Sequence, residues 1–223
     1  MGVIKNVDRS YFIILGKACS DIKSYSSKAT DGSYVIDPDG EGGYDPFTVY
    51  CNMIDKNEVS VTVVGHDSEN RMLVDGYEAE GSYLRDVQYL GAGLSSIAQL
   101  VGLTNVSANC EQFIKYECRN SLLLFPPGIP SGWWVSRDFV NMTYWGGATS
   151  ADSYKCACGL NKTCPDPSRG CNCDANDDAW REDSGLLTEK SHLPVVQLRF
   201  GDTGSSVEQG YHTLGKLKCH GMA

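Results

Sequence analysis

Several short runs, some alternating between apolar and polar residues and some continuously apolar, are bounded by turn formers and read as strands. Tyr11–Leu15, Ser33–Ile36, Phe47–Cys51 and Val59–Val64 are the first four. Gln112–Cys118, Ser121–Phe125 and Leu193–Phe200 are three more. The segment Asp37–Asp45 is dense in Asp, Gly and Pro and predicts a tight turn. One stretch has another period. Leu90, Leu94, Ile97 and Val101 recur at helical spacing, with Gly91 and Gly93 at the start and Gly102 placed to end a helix. Residues 126–132 form a rigid Pro/Gly loop, and Trp133-Trp134-Val135 directly after it needs packing. The pattern predicts an α+β fold, mostly antiparallel strands with few helices.

Residues 150–185 carry five cysteines among Asp, Asn, Gly and Pro. Such a segment cannot build a core alone and must be cross-linked. The whole chain of 223 residues has ten cysteines, at 19, 51, 110, 118, 156, 158, 164, 171, 173 and 219. Asn-x-Ser/Thr sequons stand at Asn105, Asn141 and Asn161, each a potential N-glycosylation site. Cysteines and sequons together point to the secretory pathway. Tyr11–Leu15 is too short for a signal-peptide core, and no apolar run is long enough to span a membrane. The sequence therefore reads as part of a longer protein, with no membrane insertion by this segment.

Charge removes other classes. The net charge is -9 with no Lys/Arg cluster. Nucleic acids and anionic membrane surfaces need basic surface, so neither is expected as a partner. Zinc is disfavoured as well. Structural zinc knuckles use Cys-x2-4-Cys, whereas Cys156-x-Cys158 and Cys171-x-Cys173 leave one residue between thiols. Disulfides are the expected use. The four histidines, His66, His192, His212 and His220, fall in no catalytic motif, and no nucleophile elbow or phosphate loop occurs. An enzyme is not expected.

The acidic turn is the one candidate metal site. Calcium takes six to eight oxygens from carboxylates and carbonyls on a flexible loop. Asp37, Asp39 and Asp45 offer carboxylates, and Gly40 and Gly42 can turn carbonyls inward. A second acidic group, Asp174, Asp177, Asp178, Glu182 and Asp183, reads as a solvated loop flanking Trp180.

Several blocks resemble a known family. Cys19-Ser-Asp-Ile, Asp31–Gly40 and Val49–Met53 resemble the opening of fibrinogen-like domains. Cys110-Glu-Gln-x-Ile-x-Tyr-x-Cys118, Trp133–Val135, Tyr144–Gly147 and Lys155–Gly159 are more specific. Cys171–Ala175, His192–Val195, Gly201–Thr203 and Gly215-x-Leu217-x-Cys219 complete the set. Together they resemble the fibrinogen-like domain of contactin-associated proteins, neurexin-like adhesion receptors, over about residues 17–222. The fibrillar-collagen C-propeptide is a more distant likeness. The resemblance implies a fibrinogen C-terminal-like fold, with an N-terminal extension over 1–16 and one fibrinogen-like domain over 17–223. It implies bridges Cys19–Cys51 and Cys118–Cys173. Cys110–Cys219 is the further expected pair, with the rest among Cys156, Cys158, Cys164 and Cys171. The propeptide's calcium loop maps onto Asp37, Asp39, Gly40, Gly42 and Asp45, so calcium is the one cofactor implied. Ser60–Val64 lacks the family's strand tryptophan, and the acidic segment of ficolin-type lectins is absent.

The functional expectation is an extracellular protein-binding module of an adhesion receptor or matrix protein. Trp133, Trp134, Tyr144 and Trp145 are candidate partner anchors, weighed against burial in the core. The alternatives are a secreted acidic matrix component, as in a mineralised matrix, and a lectin binding glycans.

Overall fold

The computed structural model describes residues 2–4, 13–54, 59–91, 93–94 and 96–223. Its elements begin with strands β1 (Gly2–Ile4) and β2 (Ile13–Leu15), helix α1 (Cys19–Tyr25), and strands β3 (Gly32–Ile36), β4 (Phe47–Asn52) and β5 (Val61–Val64). Next come β6 (Met72–Val74), β7 (Tyr83–Asp86), the two-residue strands β8 (Leu90–Gly91) and β9 (Gly93–Leu94), and helix α2 (Ile97–Val106). Strand β10 (Ser107–Arg119) follows directly, then β11 (Trp133–Val135), β12 (Asn141–Met142) and helix α3 (Ala157–Asn161). After a 3-10 turn at Cys173–Ala175 come β13 (Arg181–Leu187), β14 (Gln197–Phe200) and β15 (Gln209–Met222). The named strands pair antiparallel throughout the registers described. Tyr11 and Phe12 of the first predicted run lie outside the described residues.

The chain divides into two compact units. The first holds Met1–Gly65, Tyr89–Cys110 and Leu217–Ala223. In it β3, β4 and β5 pair in sequence order, and the end of β15 adds to β5. Phe47, Val49 and Cys51 alternate inward along β4, as a half-buried strand requires. Cys19 opens α1 by donating its N–H to Thr62 Oγ1 at 3.0 Å, and its sulfur is bonded to Cys51.

Helix α2 begins later than its apolar period predicts. Ser96 forms a capping box with Gln99: the Ser96 hydroxyl accepts from the Gln99 N–H, and the Gln99 amide oxygen accepts from the Ser96 N–H at 2.7 Å. Leu90 and Leu94 are instead partners in the short β8–β9 pair. Gly102 lies inside the helix, and the buried residues are Leu100, Leu103 and Thr104 rather than Ile97 and Val101.

The second unit holds His66–Gln88 and Glu111–Lys216. One sheet runs β13–β10–β15 with β6 added on β15, and another runs β12–β11–β14–β7. Ile114, Tyr116, Trp134, Trp145, Leu198 and Phe200 are fully buried. The Tyr116 and Phe200 rings stack at 4.5 Å, and His212 stacks on Phe200 at 5.5 Å. Trp134 donates its indole N–H to the Tyr144 carbonyl at 2.7 Å and Trp145 to that of Asp183 at 3.0 Å, so both bury without an orphaned donor.

Two predicted strands are altered. Ser121–Phe125 is buried yet forms no strand. Its N–H groups go to side chains: Leu123 and Leu124 both donate to Asp174 Oδ1 at 3.0 Å, and Leu122 donates to Asp202 at 2.6 Å. Leu193–Val196 is buried ahead of β14, with Val195 N–H on the Gln112 side chain at 3.0 Å and Pro194 after a cis bond.

The second acidic group is also unlike its expectation. Asp177 pairs with Arg181 and Asp178 with Arg119 at the surface, but Asp174 and Asp183 are only 2% exposed. Asp183 accepts N–H bonds from Asn172 at 2.9 Å and Cys173 at 2.8 Å. Burial outweighs these donors and raises its carboxyl to about 7. Around it lie the bridges Cys118–Cys173, Cys156–Cys171 and Cys158–Cys164. Gly146 and Gly185 let their backbones touch here; a Cβ on Gly146 would meet the Gly185 nitrogen at 2.5 Å. Cys110–Cys219 completes five disulfides, and all ten cysteines are paired.

Two outcomes follow from these bonds. Opening Cys110–Cys219, with a sequence separation of 109, is expected to cost about 4–5 kcal/mol of unfolding free energy on chain-entropy grounds. Opening Cys158–Cys164, with a separation of 6, should cost about 2 kcal/mol. Urea unfolding of the two double-serine variants measures both, and the reverse order would refute the entropic account. Asp183, whose folded pKa is raised, stabilises fully below its unfolded value near 4, and that stabilisation is lost as pH rises through about 7. Asp183→Asn should therefore gain on wild type by about 4 kcal/mol between pH 4 and pH 8. A pH-independent difference in thermal unfolding would remove this assignment.

Candidate interaction surface

Strand alternation gives the β13–β10–β15–β6 sheet an inner and an outer side. Ile114, Tyr116, Asp183, His212 and Val74 point inward and are buried. Phe113, Lys115 and Glu117 on β10 point outward, as do Glu182, Ser184 and Leu186 on β13. Phe113 sits opposite Leu186, Glu117 opposite Glu182, and Tyr211 on β15 opposite Leu73 on β6. Phe113, Leu186 and Leu73 are all exposed. Gly215 admits the Phe113 side chain, because a Cβ there would meet Phe113 Cβ at 2.9 Å.

Trp180, just before β13, is 50% exposed. Its ring tilts against Tyr211 at 5.7 Å. The Arg71 guanidinium lies 3.3 Å from the Tyr211 ring centroid and also bonds Glu117 at 2.9 Å. That bond holds the Glu117 carboxyl below the usual range. Lys115 links Glu117 at 3.3 Å and Glu182 at 3.6 Å. Arg71, Glu117, Trp180, Arg181 and Glu182 line an open groove of about 350 Å³. The result is a fixed aromatic and cationic platform edged by paired charges and apolar side chains. Aromatic and arginine side chains of this kind dominate protein recognition.

The four expected anchors are elsewhere. Trp134, Trp145 and Tyr144 are buried and Trp133 is half-buried. Trp180 stands among acids in the sequence, with no local pattern that marks it as an exposed anchor. One signal did point outward: Phe113 and Tyr116 have opposite parity on one strand, so both cannot face the core.

In the acidic turn, Asp37 is buried and accepts from the Gly40 N–H at 3.0 Å, while Asp39 accepts from the Tyr44 N–H at 2.9 Å. Burial, with the neighbouring Asp39 carboxylate, raises the Asp37 carboxyl. Gly40 and Gly42 have φ of 80° and 88°, values that favour glycine. Asp45 accepts through its carbonyl from the Gln99 side chain. The Asp37, Asp39 and Asp45 carboxylates do not all come within 4.8 Å of one another. Among the described residues, Cys156, Cys171 and Asp183 do so, but those sulfurs are joined to each other. Asn105, Asn141 and Asn161 are all exposed. No described helix is long and apolar enough to cross a membrane.

Residues 14–125 match the family described as the fibrillar collagen C-terminal domain. Contactin-associated protein 1 of Homo sapiens is 40% identical over 196 residues, covering 87% of this chain and 14% of that protein. Neurexin-4 of Drosophila melanogaster is 39% identical over 193 residues, covering 83% of this chain and 15% of that protein. The chain thus spans about one seventh of the length of these relatives. Five disulfides and this kinship place it outside the cell. The chain belongs to the family of the fibrillar collagen C-terminal domain, in the form it shares with contactin-associated protein 1 and Neurexin-4.

Proposed function

We propose that this domain is a protein-binding module of an extracellular adhesion protein and that it docks through the outer side of the β13–β10–β15–β6 sheet. Trp180 carries the reading. It is a half-exposed indole on a rigid strand end, backed by Tyr211 and Arg71. Docking on it would bury Leu73, Phe113 and Leu186, while Glu117 and Arg181 meet polar groups of the partner at the rim. The human relative is named for association with contactin, so a contactin is the first partner to test. Trp180→Ala should weaken binding to immobilised contactin roughly 10- to 100-fold. Leu186→Ser should act in the same direction, and both variants should keep the wild-type melting temperature. Unchanged affinity in both would exclude this face; no binding by wild type would exclude the partner.

We also propose that the turn 37–45 takes calcium. Supporting this, Asp37 and Asp39 lie side by side despite like charge, and a divalent cation between them would relieve the repulsion. The Gly40 and Gly42 carbonyls and the Asp45 carboxylate are the further oxygen donors of the loop. Calorimetric titration with calcium should give binding heat in wild type and none in Asp39→Ala. Equal heats from the two proteins would remove the proposal.

A further inference from the structure

We propose that Asn141 is the preferred N-glycan acceptor of this chain, and that Phe139 is the platform against which its first sugar packs. The inference rests on the extracellular placement and is otherwise independent of the docking face.

Phe139 stands in the connection between β11 and β12. Val135 pairs with Asn141, leaving residues 136–140 as the turn. The turn is closely tied. Ser136 N–H donates to the Val140 carbonyl at 2.9 Å, and Phe139 N–H to the Ser136 carbonyl at 2.9 Å. The Ser136 hydroxyl accepts from Val140 N–H at 3.3 Å, and Arg137 N–H donates to the His192 carbonyl at 3.1 Å. Within it Phe139 has φ of 60°, a left-handed conformation that bulky residues rarely adopt. It is 76% exposed, and Val140 beside it is exposed too. A strained turn thus presents an aromatic ring that the protein itself barely covers.

Two residues later the sequon Asn141-Met142-Thr143 begins, with Asn141 exposed. An N-acetylhexosamine on that amide carries a face of polarised C–H groups. The negative face of an aromatic ring attracts such groups, and burying the ring's open surface adds to the gain. Phe139 is therefore placed and exposed for that contact.

The other sequons are less favourable. Asn105 lies in the last turn of α2, and its partner hydroxyl, on Ser107, is fully buried and donates to the Leu103 carbonyl at 2.8 Å. Asn161 ends α3 between Cys158 and Cys164, whose bond closes a separation of 6. Asn141 lies in no helix, and the smallest disulfide ring around it, closed by Cys118–Cys173, has a separation of 55 rather than 6. Transfer from a lipid-pyrophosphate-linked oligosaccharide balances simply. Asn141 Nδ2 bonds to the anomeric carbon, and the amide gives up one proton to the solvent. The anomeric C–O bond breaks, and its electron pair leaves with the lipid pyrophosphate.

The test uses the full chain secreted from animal cells. Glycopeptide mass spectrometry should find Asn141 occupied on more chains than Asn105 or Asn161. Disulfide mapping of the same sample checks the extracellular reading separately, since unpaired thiols would sink that reading alone. Then Asn105→Gln/Asn161→Gln protein, trimmed to one sugar at Asn141, is compared with the same protein carrying Asn141→Gln. The sugar should raise Tm by roughly 2–4 °C, the shift one stacking contact gives in a domain of this size. The increment should vanish in Phe139→Ala and return in Phe139→Trp. An unmodified Asn141 in disulfide-bonded secreted protein overturns the acceptor assignment. An equal increment with and without the ring overturns the platform.

Discussion

Residues 143–180 contain one α-helix of five residues, a three-residue 3-10 turn and no strand, so their backbone donors have no ladder to join. Every buried N–H still needs an acceptor. Many of these donors find single backbone carbonyls in turns and neighbouring loops, and two carboxylates serve others, one in this segment and one in the strandless residues 121–125. Asp183 takes the N–H groups of Asn172 and Cys173, and Asp174 takes those of Leu123 and Leu124. Each gathers two donors from segments that no sheet could pair. Three disulfides then fix the segments that these acids have organised. Removing either carboxylate would leave orphaned amides in a dry interior, a larger loss than the hydrogen bonds themselves.

The same arrangement sets the surface. Asp183 occupies an inward position on β13, so its neighbours Glu182 and Ser184 must point outward. Trp180 leaves the cysteine-rich segment one residue before that strand starts. Its position against Tyr211 is thus inherited from the buried carboxylate and the bridges behind it. A recognition residue placed this way loses little freedom on binding, which preserves affinity that a floppy loop would lose.

Much of the fold was legible because period-2 alternation survives in short strands. Strands β3 and β4 stand nearly where their alternation predicts, with the intervening acidic segment as the turn. Trp134 and Trp145 are buried because their indole N–H groups find carbonyls, which no local pattern announces. Ser121–Phe125 reads as a strand because it is apolar, yet its hydrogen bonds go to side chains far along the sequence. Helix α2 starts later than its apolar spacing predicts, because Leu90 and Leu94 fit the helical period while the Ser96–Gln99 box fixes the true beginning. The acidic group after Cys173 looks solvated by composition; only the folded chain separates Asp174 and Asp183 from their exposed neighbours. Trp180 stayed hidden for the same reason, since exposure belongs to the assembled sheet and not to a short stretch of letters.

The bond between Cys110 and Cys219 has a mechanical consequence. Tension that enters before the first of these residues and leaves after the second passes across the sulfur bridge, and the chain between them carries none of it. That shelters about 380 Å of extended contour, at roughly 3.5 Å per residue. A domain pulled between two cells would then lengthen only through its outer segments. Glu117, Trp180, Arg181 and Glu182 lie inside the sheltered loop and would keep their places under a load that stretched the segments outside it, whereas Arg71, ahead of Cys110, would feel that load.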